Sequence, residues 1–124
     1  MTELSEYTIT ELSRLLREKN IDSVSLFEFF YDKIKNYKDQ DIFISLNKER
    51  SLIEARKSAE RYRNSQILGP LDGIPMAWKD LIDIKGYRTT CGSSLLKNNK
   101  ISNKDAKIVE NCKNQGMIVL GKVN

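Results

Sequence analysis

The sequence predicts an α/β fold, in which N-terminal helices precede part of a β-sheet flanked by helices. Three observations lead to this fold class. The first half of the chain repeats apolar residues at helical spacing behind capping signals. Two apolar runs, IPMAW (74–78) and MIVLG (117–121), have the length and composition of buried strands. The amphipathic segment before the second run is typical of one half of an α/β unit whose sheet is covered on both faces.

Three helices are predicted in the N-terminal half. Thr8 and Glu11 have the spacing of a capping box, and Ser25 and Glu28 repeat it. The apolar residues that follow these boxes at helical spacing, and that we expect to face the core, are Ile9, Leu12, Leu15, Leu16, Leu26, Phe29, Phe30 and Ile34. A third helix is predicted over residues 47–64. Its expected inward residues are Leu52, Ala55, Ala59 and Tyr62.

Three strands and a fourth helix complete the predicted elements. DIFISL (41–46) has the alternation of a strand, and its predicted inward residues are Ile42, Ile44 and Leu46. The turn-rich GPLDG (69–73) leads into IPMAW, where Pro75 is tolerated because it lies near the start of the strand. The fourth helix is predicted over 105–115, and Gly116 suits its C-terminal cap. The expected inward residues of this helix are Ile108, Val109 and Cys112.

Length and charge limit the classes of partner. The 124 residues suffice for one small domain with a core, and 31% of them are charged, with a net charge of +4. Because the two signs are mixed along the chain, we predict no direct contact with nucleic acid. No apolar run approaches the ~20 residues of a membrane span, and the N-terminus lacks a signal-peptide core. We therefore expect no membrane partner and a cytoplasmic location.

The residue types exclude several kinds of catalytic site. The chain contains no histidine, which excludes Ser-His-Asp and Cys-His catalysis built within it. Two cysteines without histidine make a poor metal site, so we predict neither a metal nor a cofactor. Cys112 lies on the apolar side of a predicted helix and is expected in the core. Cys91 follows two threonines in a polar loop, and it lacks an obvious base to act as a nucleophile.

A charged pair follows the first buried strand directly, since IPMAW runs into Lys79 and Asp80. Lys79 is either a solvated residue at a strand end, which composition alone favours, or a reactive amine. A lysine with the ordinary pKa of about 10.4 cannot accept a proton at neutral pH, but desolvation favours the neutral amine. A reactive Lys79 therefore requires enclosure. It also requires that Asp80 and Asp83 face elsewhere, where we expect them to hold loop backbone.

Two longer stretches resemble the amidase signature family. GPLDGIPMAWKDLIDIKGYRTTCGS (69–93) is similar to the family's approach to its catalytic lysine, and DAKIVENCKNQGMIVLGKVN (105–124) is similar to the helix and strand that follow. The resemblance implies a mixed β-sheet flanked by helices, of which this chain holds an incomplete part. Residues 1–66 are then the helical N-terminal layer and residues 67–124 the start of the amidase α/β core, which together make a truncated single domain.

The resemblance also implies a reaction. It is hydrolysis of a carboxamide C–N bond through a Ser–cis-Ser–Lys triad, with Lys79 as the base and a small-molecule amide as substrate. In family members the two serines lie downstream of the position that matches Asn124, in a Gly- and Ser-rich signature that is absent here. Ser93 and Ser94 fall where the family carries a structural Thr-x-Gly-Ser segment, so we do not expect them to be catalytic.

Without the triad serines, the chain alone is expected to be inactive. A second chain would have to supply the serines. The strands left bare by truncation also predict low stability or self-association of the isolated chain.

Two alternatives to a simple amidase stay open. One is the A subunit of a tRNA-dependent amidotransferase, which hydrolyses the glutamine amide and transfers the ammonia. Trp78, directly before Lys79, favours the general amidase branch, since the amidotransferase form usually carries a smaller aliphatic residue there. The other alternative is a non-catalytic remnant or interaction module, which the missing serines favour and the preserved lysine loop disfavours.

Overall fold

A computed structural model of the chain describes residues 3–37 and 41–124. Its helices and strands in chain order are α1 (Ile9–Arg17), α2 (Ser23–Asn36), β1 (Phe43–Ser45), α3 (Lys48–Arg63), β2 (Pro75–Lys79), α4 (Lys107–Asn114) and β3 (Ile118–Val123). Short 3-10 turns lie at Leu4–Glu6 and Ser94–Leu96. Each predicted helix and strand is present, with ends that differ from the predicted ones by a few residues.

The three strands form one mixed sheet in the order β1-β3-β2. β2 runs parallel to β3, with Lys79 opposite Val123, and β1 runs antiparallel to β3, with Ser45 opposite Lys122. Parallel strands need a crossover connection, and the segment that contains α4 provides it. These observations confirm the α/β class and the mixed sheet that the resemblance implies.

Apolar layers cover both faces of the central strand β3. Ile118 packs with Phe27 of α2 and Ala55 of α3. Val119, the next residue, belongs to a second cluster with Val109 of α4, on the opposite face of the sheet. A third cluster consists of Leu12, Leu16, Leu26, Tyr62, Ile74 and Met117. The predicted coverage of both faces is therefore confirmed for β3, whereas most residues of β1 and β2 are half-buried.

Side chains of α3 stabilise a bulge between β2 and β3. The register shifts just after Met76, which pairs with Val119. Ser51 Oγ donates to the Val119 carbonyl at 2.6 Å, and Glu54 Oε1 accepts the Val119 N–H at 3.1 Å. Because a bulge interrupts the ladder, these two side chains satisfy buried backbone groups that the sheet leaves unpaired.

The capping signals predict the start of α1 correctly and that of α2 incorrectly. Thr8 Oγ1 accepts the Glu11 N–H at 3.2 Å, and the Glu11 carboxylate accepts the Thr8 N–H at 2.7 Å. In α2 the cap is Asp22, whose carboxylate accepts the Ser25 N–H at 2.8 Å. The predicted box of Ser25 and Glu28 is therefore wrong, because an aspartate that caps as well as serine lies three residues earlier.

Four residues predicted to face the core are exposed, and they are Ile9, Ile42, Ile44 and Ile108. β1 is three residues long with Phe43 and Ser45 half-buried, so alternation turns Ile44 outward. Ile42 precedes the strand. In α4 the buried residue is Val109, and Ile108 lies about 100° away around the helix. Ile9 is the first residue of α1 and precedes its buried stripe.

Two further sequence predictions concern the chain as a whole. Among residues 3–37 and 41–124, no helix combines the length and the apolar character that crossing a membrane requires.

The predicted boundary between a helical layer and an α/β core at residue 66 stays a prediction. Across it, β1 from the first segment pairs with β3 from the second.

A buried carboxylate anchors the GPLDG turn to α3. Asp72 is fully buried and accepts hydrogen bonds from Arg61 Nε at 2.8 Å, Arg61 Nη2 at 2.7 Å and Ser58 Oγ at 2.7 Å. Gly116, which has a φ of +90°, packs directly against it, and a Cβ at this position would stand 2.5 Å from Asp72 Oδ1. The turns that enter β2 and β3 therefore meet at one buried ion.

We expect Asp72→Ala to lower the free energy of unfolding by about 3–5 kcal/mol, because Arg61 and Ser58 lose their buried acceptor. Urea unfolding followed by circular dichroism measures the change. Glu60→Ala, at an exposed position of the same helix, is the matched control, with an expected change within about 0.5 kcal/mol. Equal unfolding midpoints for Asp72→Ala and the unaltered chain would contradict this role.

Candidate active site

Lys79 is the last residue of β2, at the carboxyl end of the parallel pair. Its chain neighbours Trp78 and Asp80 are buried, whereas Lys79 is exposed. Because side chains alternate across a strand, Lys79 projects to the face opposite these two residues. There it lines a small cavity of about 50 Å³, whose other lining residues are Ile44, Asp80, Leu81, Cys91, Gly92, Val123 and Asn124. We call this space the Lys79 cavity.

The enclosure that a reactive lysine needs is not formed by the residues that the structure describes. The large apolar side chains of the Lys79 cavity belong to Ile44, Leu81 and Val123, and the first two are themselves exposed. In the described part of the chain, β2 is an edge strand that pairs with β3 on one side, so no further strand helps to enclose Lys79 there. The role of Lys79 as a base therefore stays a prediction from the resemblance.

The Asp80 carboxylate is buried and binds the loop that follows β2. It accepts the Thr90 N–H at 3.2 Å and also the Thr90 hydroxyl, and it lies 2.9 Å from the Lys122 ammonium. Burial alone would raise the pKa of Asp80, but the hydrogen bonds from Thr90 and Lys122 outweigh it and hold the pKa below its usual value. The expectation that Asp80 holds loop backbone is confirmed.

Asp83 differs from Asp80 in exposure and in the group that it binds. It is exposed, and its carboxylate accepts the Thr89 hydroxyl at 2.6 Å. It therefore binds a side chain of the loop where we expected backbone.

Lys122 is the residue of this region that the sequence reading missed. It is fully buried, and its ammonium donates to the Arg88 carbonyl at 3.1 Å and to Thr89 Oγ1 at 3.0 Å, besides pairing with Asp80. The predicted strand ended at Gly121, but β3 continues to Val123 and carries Lys122 inside the sheet. A lysine that directly extends a buried apolar run was the available signal.

Ser93 and Ser94, in the loop that follows β2, do not line the Lys79 cavity. Ser93 Oγ accepts the Leu95 N–H at 3.2 Å and caps the 3-10 turn there. Ser94 is exposed, and neither serine is among the described residues that line the Lys79 cavity. Cys91, by contrast, lines it as an exposed free thiol, and Cys112 is free and half-buried against the core clusters.

Metal-ligating residues do not cluster in the described part of the chain. No group of three or more Cys, Asp or Glu side chains there is placed to hold a metal ion. The carboxylates of this region are instead bound to Thr90, Lys122 and Thr89.

Sequence comparison decides the family. A profile of the amidase family matches residues 25–124. The chain belongs to the amidase family. The A subunit of glutamyl-tRNA(Gln) amidotransferase from Legionella pneumophila is 40% identical over 121 residues, which are 98% of this chain and 25% of that protein. The human mitochondrial protein of the same name is 36% identical over 117 residues, which are 94% of this chain and 22% of that protein.

Solved structures agree with the family assignment. The peptide amidase of Stenotrophomonas maltophilia superposes with a TM-score of 0.88 at 29% identity, over 97% of this amidase-family chain and 25% of that enzyme. Fatty acid amide hydrolase shares the fold with a TM-score of 0.83 at 20% identity. The family predicted from the motifs is therefore confirmed, and the chain spans about a quarter of the length of these relatives.

We expect the Asp80–Lys122 pair to make stability fall in acid. Because the pKa of Asp80 is depressed in the folded chain, its contribution is complete above the ordinary pKa of about 3.9 and is lost as the pH falls through the folded value. Melting temperatures measured from pH 7 to pH 2 test this. Asp80→Asn should lower stability by about 3–5 kcal/mol at pH 7 and should flatten the acid limb.

Thr90→Val is the graded control, since it removes one hydroxyl donor to Asp80 and keeps the ion pair. Its pH profile should lie between those of the unaltered chain and Asp80→Asn. An acid limb in Asp80→Asn as steep as in the unaltered chain would exclude Asp80 as its source.

Proposed function

We propose that this chain supplies Lys79 as the proton-accepting lysine of a carboxamide-cleaving site. The observation that carries the proposal is membership of the amidase family, combined with the place of Lys79 beside a cavity at the carboxyl end of a parallel strand. In α/β proteins, ligands bind outside this edge of the sheet. Asp80, the next residue in the sequence, is buried and pairs with Lys122, which supports the proposal because this carboxylate faces away from Lys79.

The proposed reaction is hydrolysis of a small-molecule amide through a Ser–cis-Ser–Lys triad. Lys79, as the neutral amine, accepts a proton from a serine beside a cis peptide, and that serine takes the proton of the nucleophilic serine. The nucleophilic oxygen bonds to the carboxamide carbon, and the C–N bond breaks as the nitrogen leaves with a proton. Water then cleaves the acyl-serine ester to release a carboxylic acid.

We propose that both triad serines lie outside residues 1–124. The capping role of Ser93 and the exposure of Ser94 support this, because a triad serine must converge on the lysine amine. A second chain that carries the serines would then complete the site, and the chain alone is inactive. Self-association of the chain would cover its bare strands without supplying the serines. The mixed charge pattern supports a protein without direct nucleic-acid contact, and we propose a cytoplasmic location without a membrane partner.

A second candidate function is the A subunit of a tRNA-dependent amidotransferase, which hydrolyses the glutamine amide and transfers the ammonia. The identities of 36–40% to A subunits of glutamyl-tRNA(Gln) amidotransferase favour it. Trp78, which favoured the general amidase branch, is buried in the core with Ile84. Core packing therefore accounts for the large side chain at this position, and Trp78 does not discriminate between the two branches. Ammonia release from free glutamine, compared with release from a peptide amide, discriminates between the two candidates.

Lys79 is tested in a chimera in which residues 1–124 replace the matching part of the Stenotrophomonas maltophilia peptide amidase. We expect the chimera to release ammonia from a peptide amide. Lys79→Ala should lower kcat/KM by about 100-fold or more, because positioned acid–base groups contribute about 10²–10⁴. Lys97→Ala, at an exposed position, should stay within about twofold, as surface changes usually do. An active chimera that tolerates Lys79→Ala would remove the assignment.

The isolated 124-residue chain is expected to show no amide turnover and no labelling by a covalent serine probe. Ammonia release and intact-protein mass spectrometry measure the two properties. Turnover that disappears in Ser93→Ala would return catalysis to that serine, against the proposal. Turnover that survives Lys79→Ala would exclude the lysine.

A further inference from the structure

A second and larger space lies between the end of α2 and β1. It is a groove of about 500 Å³, a volume in the range of small-molecule pockets. We call it the β1 groove. Two lysines among its lining residues are exposed, and Lys33 already binds the Glu3 carboxylate at 3.1 Å. Most of the wall is apolar, and it consists of Ile34, Ile42, Phe43, Ile44 and Leu46.

The β1 groove adjoins the Lys79 cavity. Ile44 lines both spaces. Val123 of β3 lies opposite Lys79 on one side and opposite Phe43 on the other. Because neighbouring strands are about 4.8 Å apart, Lys79 and the groove are separated by about 10 Å across the sheet. An extended peptide covers this distance with about three residues.

The β1 groove also contains a hydroxyl without a partner. Ser45 lines the groove, and its Oγ is buried. In residues 3–37 and 41–124, it is the one buried side-chain nitrogen or oxygen of a non-exposed residue that lacks a hydrogen-bond partner. Buried polar groups are nearly always paired, because an unpaired group has lost its hydration without compensation. A ligand with a polar group in the groove would supply the missing partner.

We propose that the β1 groove binds an apolar residue of a peptide amide substrate, the third residue from the scissile carboxamide. Its side chain packs against Ile44 and Phe43, and its peptide group hydrogen-bonds to Ser45 Oγ. The inference rests on the proposed function, because the Lys79 cavity has to hold the carboxamide. A peptide residue carries an apolar group and a polar group side by side, whereas a plain alkyl chain would leave the hydroxyl unpaired.

Binding to the 124-residue chain tests this inference without any need for turnover. The two probes are acetyl-leucyl-glycyl-glycinamide, the leucine peptide, and acetyl-triglycinamide, the glycine peptide. Titrations of the ¹⁵N-labelled chain, followed by the NMR amide shifts of residues 43–45, give the two Kd values. We expect the leucine peptide to bind about tenfold more tightly, because its side chain leaves water for the apolar wall.

Ser45→Ala distinguishes a ligand-binding hydroxyl from a structural one. It should raise the Kd of the leucine peptide by about threefold to tenfold, the effect of one lost hydrogen bond. The melting temperature of the free chain should stay equal or rise, because the deleted hydroxyl is unpaired there. A hydroxyl that serves the fold would give the reverse, a lower melting temperature with an unchanged Kd.

Ile44→Ala tests the apolar wall. It should raise the Kd of the leucine peptide by about threefold or more and leave that of the glycine peptide within about twofold. Ile108→Ala, at an exposed isoleucine of α4, is the matched control and should leave both values within about twofold.

Three results would overturn the inference. They are equal Kd values for the two peptides, a Ser45→Ala chain that loses stability and keeps its affinity, and an Ile44→Ala chain that binds like Ile108→Ala. If circular dichroism shows that the isolated chain or a variant does not fold, KM in the chimera decides. There the leucine peptide must have the lower KM, and Ser45→Ala and Ile44→Ala must raise it. A chimera without this preference overturns the inference, since another segment then fills the groove.

The same data separate this inference from the proposed function. A leucine preference that depends on Ser45, together with an active chimera that tolerates Lys79→Ala, would keep the groove and remove the base assignment. A chimera that depends on Lys79 and treats the two peptides alike would keep the base and remove the groove.

Discussion

The ion pair between Lys122 and Asp80 joins the carboxyl ends of two neighbouring strands inside the fold. Two charges with almost no solvent exposure are costly to bury, so each must find partners within hydrogen-bond distance. Thr90 donates to the carboxylate, while a carbonyl and a hydroxyl of residues 88–89 accept from the ammonium. Because these partners belong to one loop, the ions hold that loop at residues 88–90. The same loop continues into the wall of the cavity beside Lys79.

A second buried carboxylate acts at the other end of β2. Asp72 binds Arg61 of α3 where the chain enters the strand, and Asp80 binds Lys122 where the chain leaves it. β2 is therefore anchored by ionic contacts at both ends, to a helix on one side and to the central strand on the other. Such a strand is a rigid support, and rigid supports place functional side chains more reproducibly than loops do. For Lys79, this rigidity is what a proton-accepting role requires.

Local sequence signals predicted the elements better than their faces. The Thr8 and Glu11 box and the spacing of Ala55 and Ala59 are properties of one helix, and they were correct. Phe27 of α2, which is fully buried against Ala55 and Ile118, was missed because Leu26, Phe29 and Phe30 already make an apolar stripe at helical spacing.

The sequence by itself determined the α/β class, the order of the elements, the amidase family, and the place of Lys79 at the end of an apolar run. These properties follow from short-range periodicity and from motifs that are continuous in the chain. Only the tertiary structure decided which lysine is buried and what Asp80 binds. Lys122 and Asp80 are distant in sequence, and they meet because β2 and β3 pair in one register. The pairing of two charges across strands depends on that register, which no local pattern specifies.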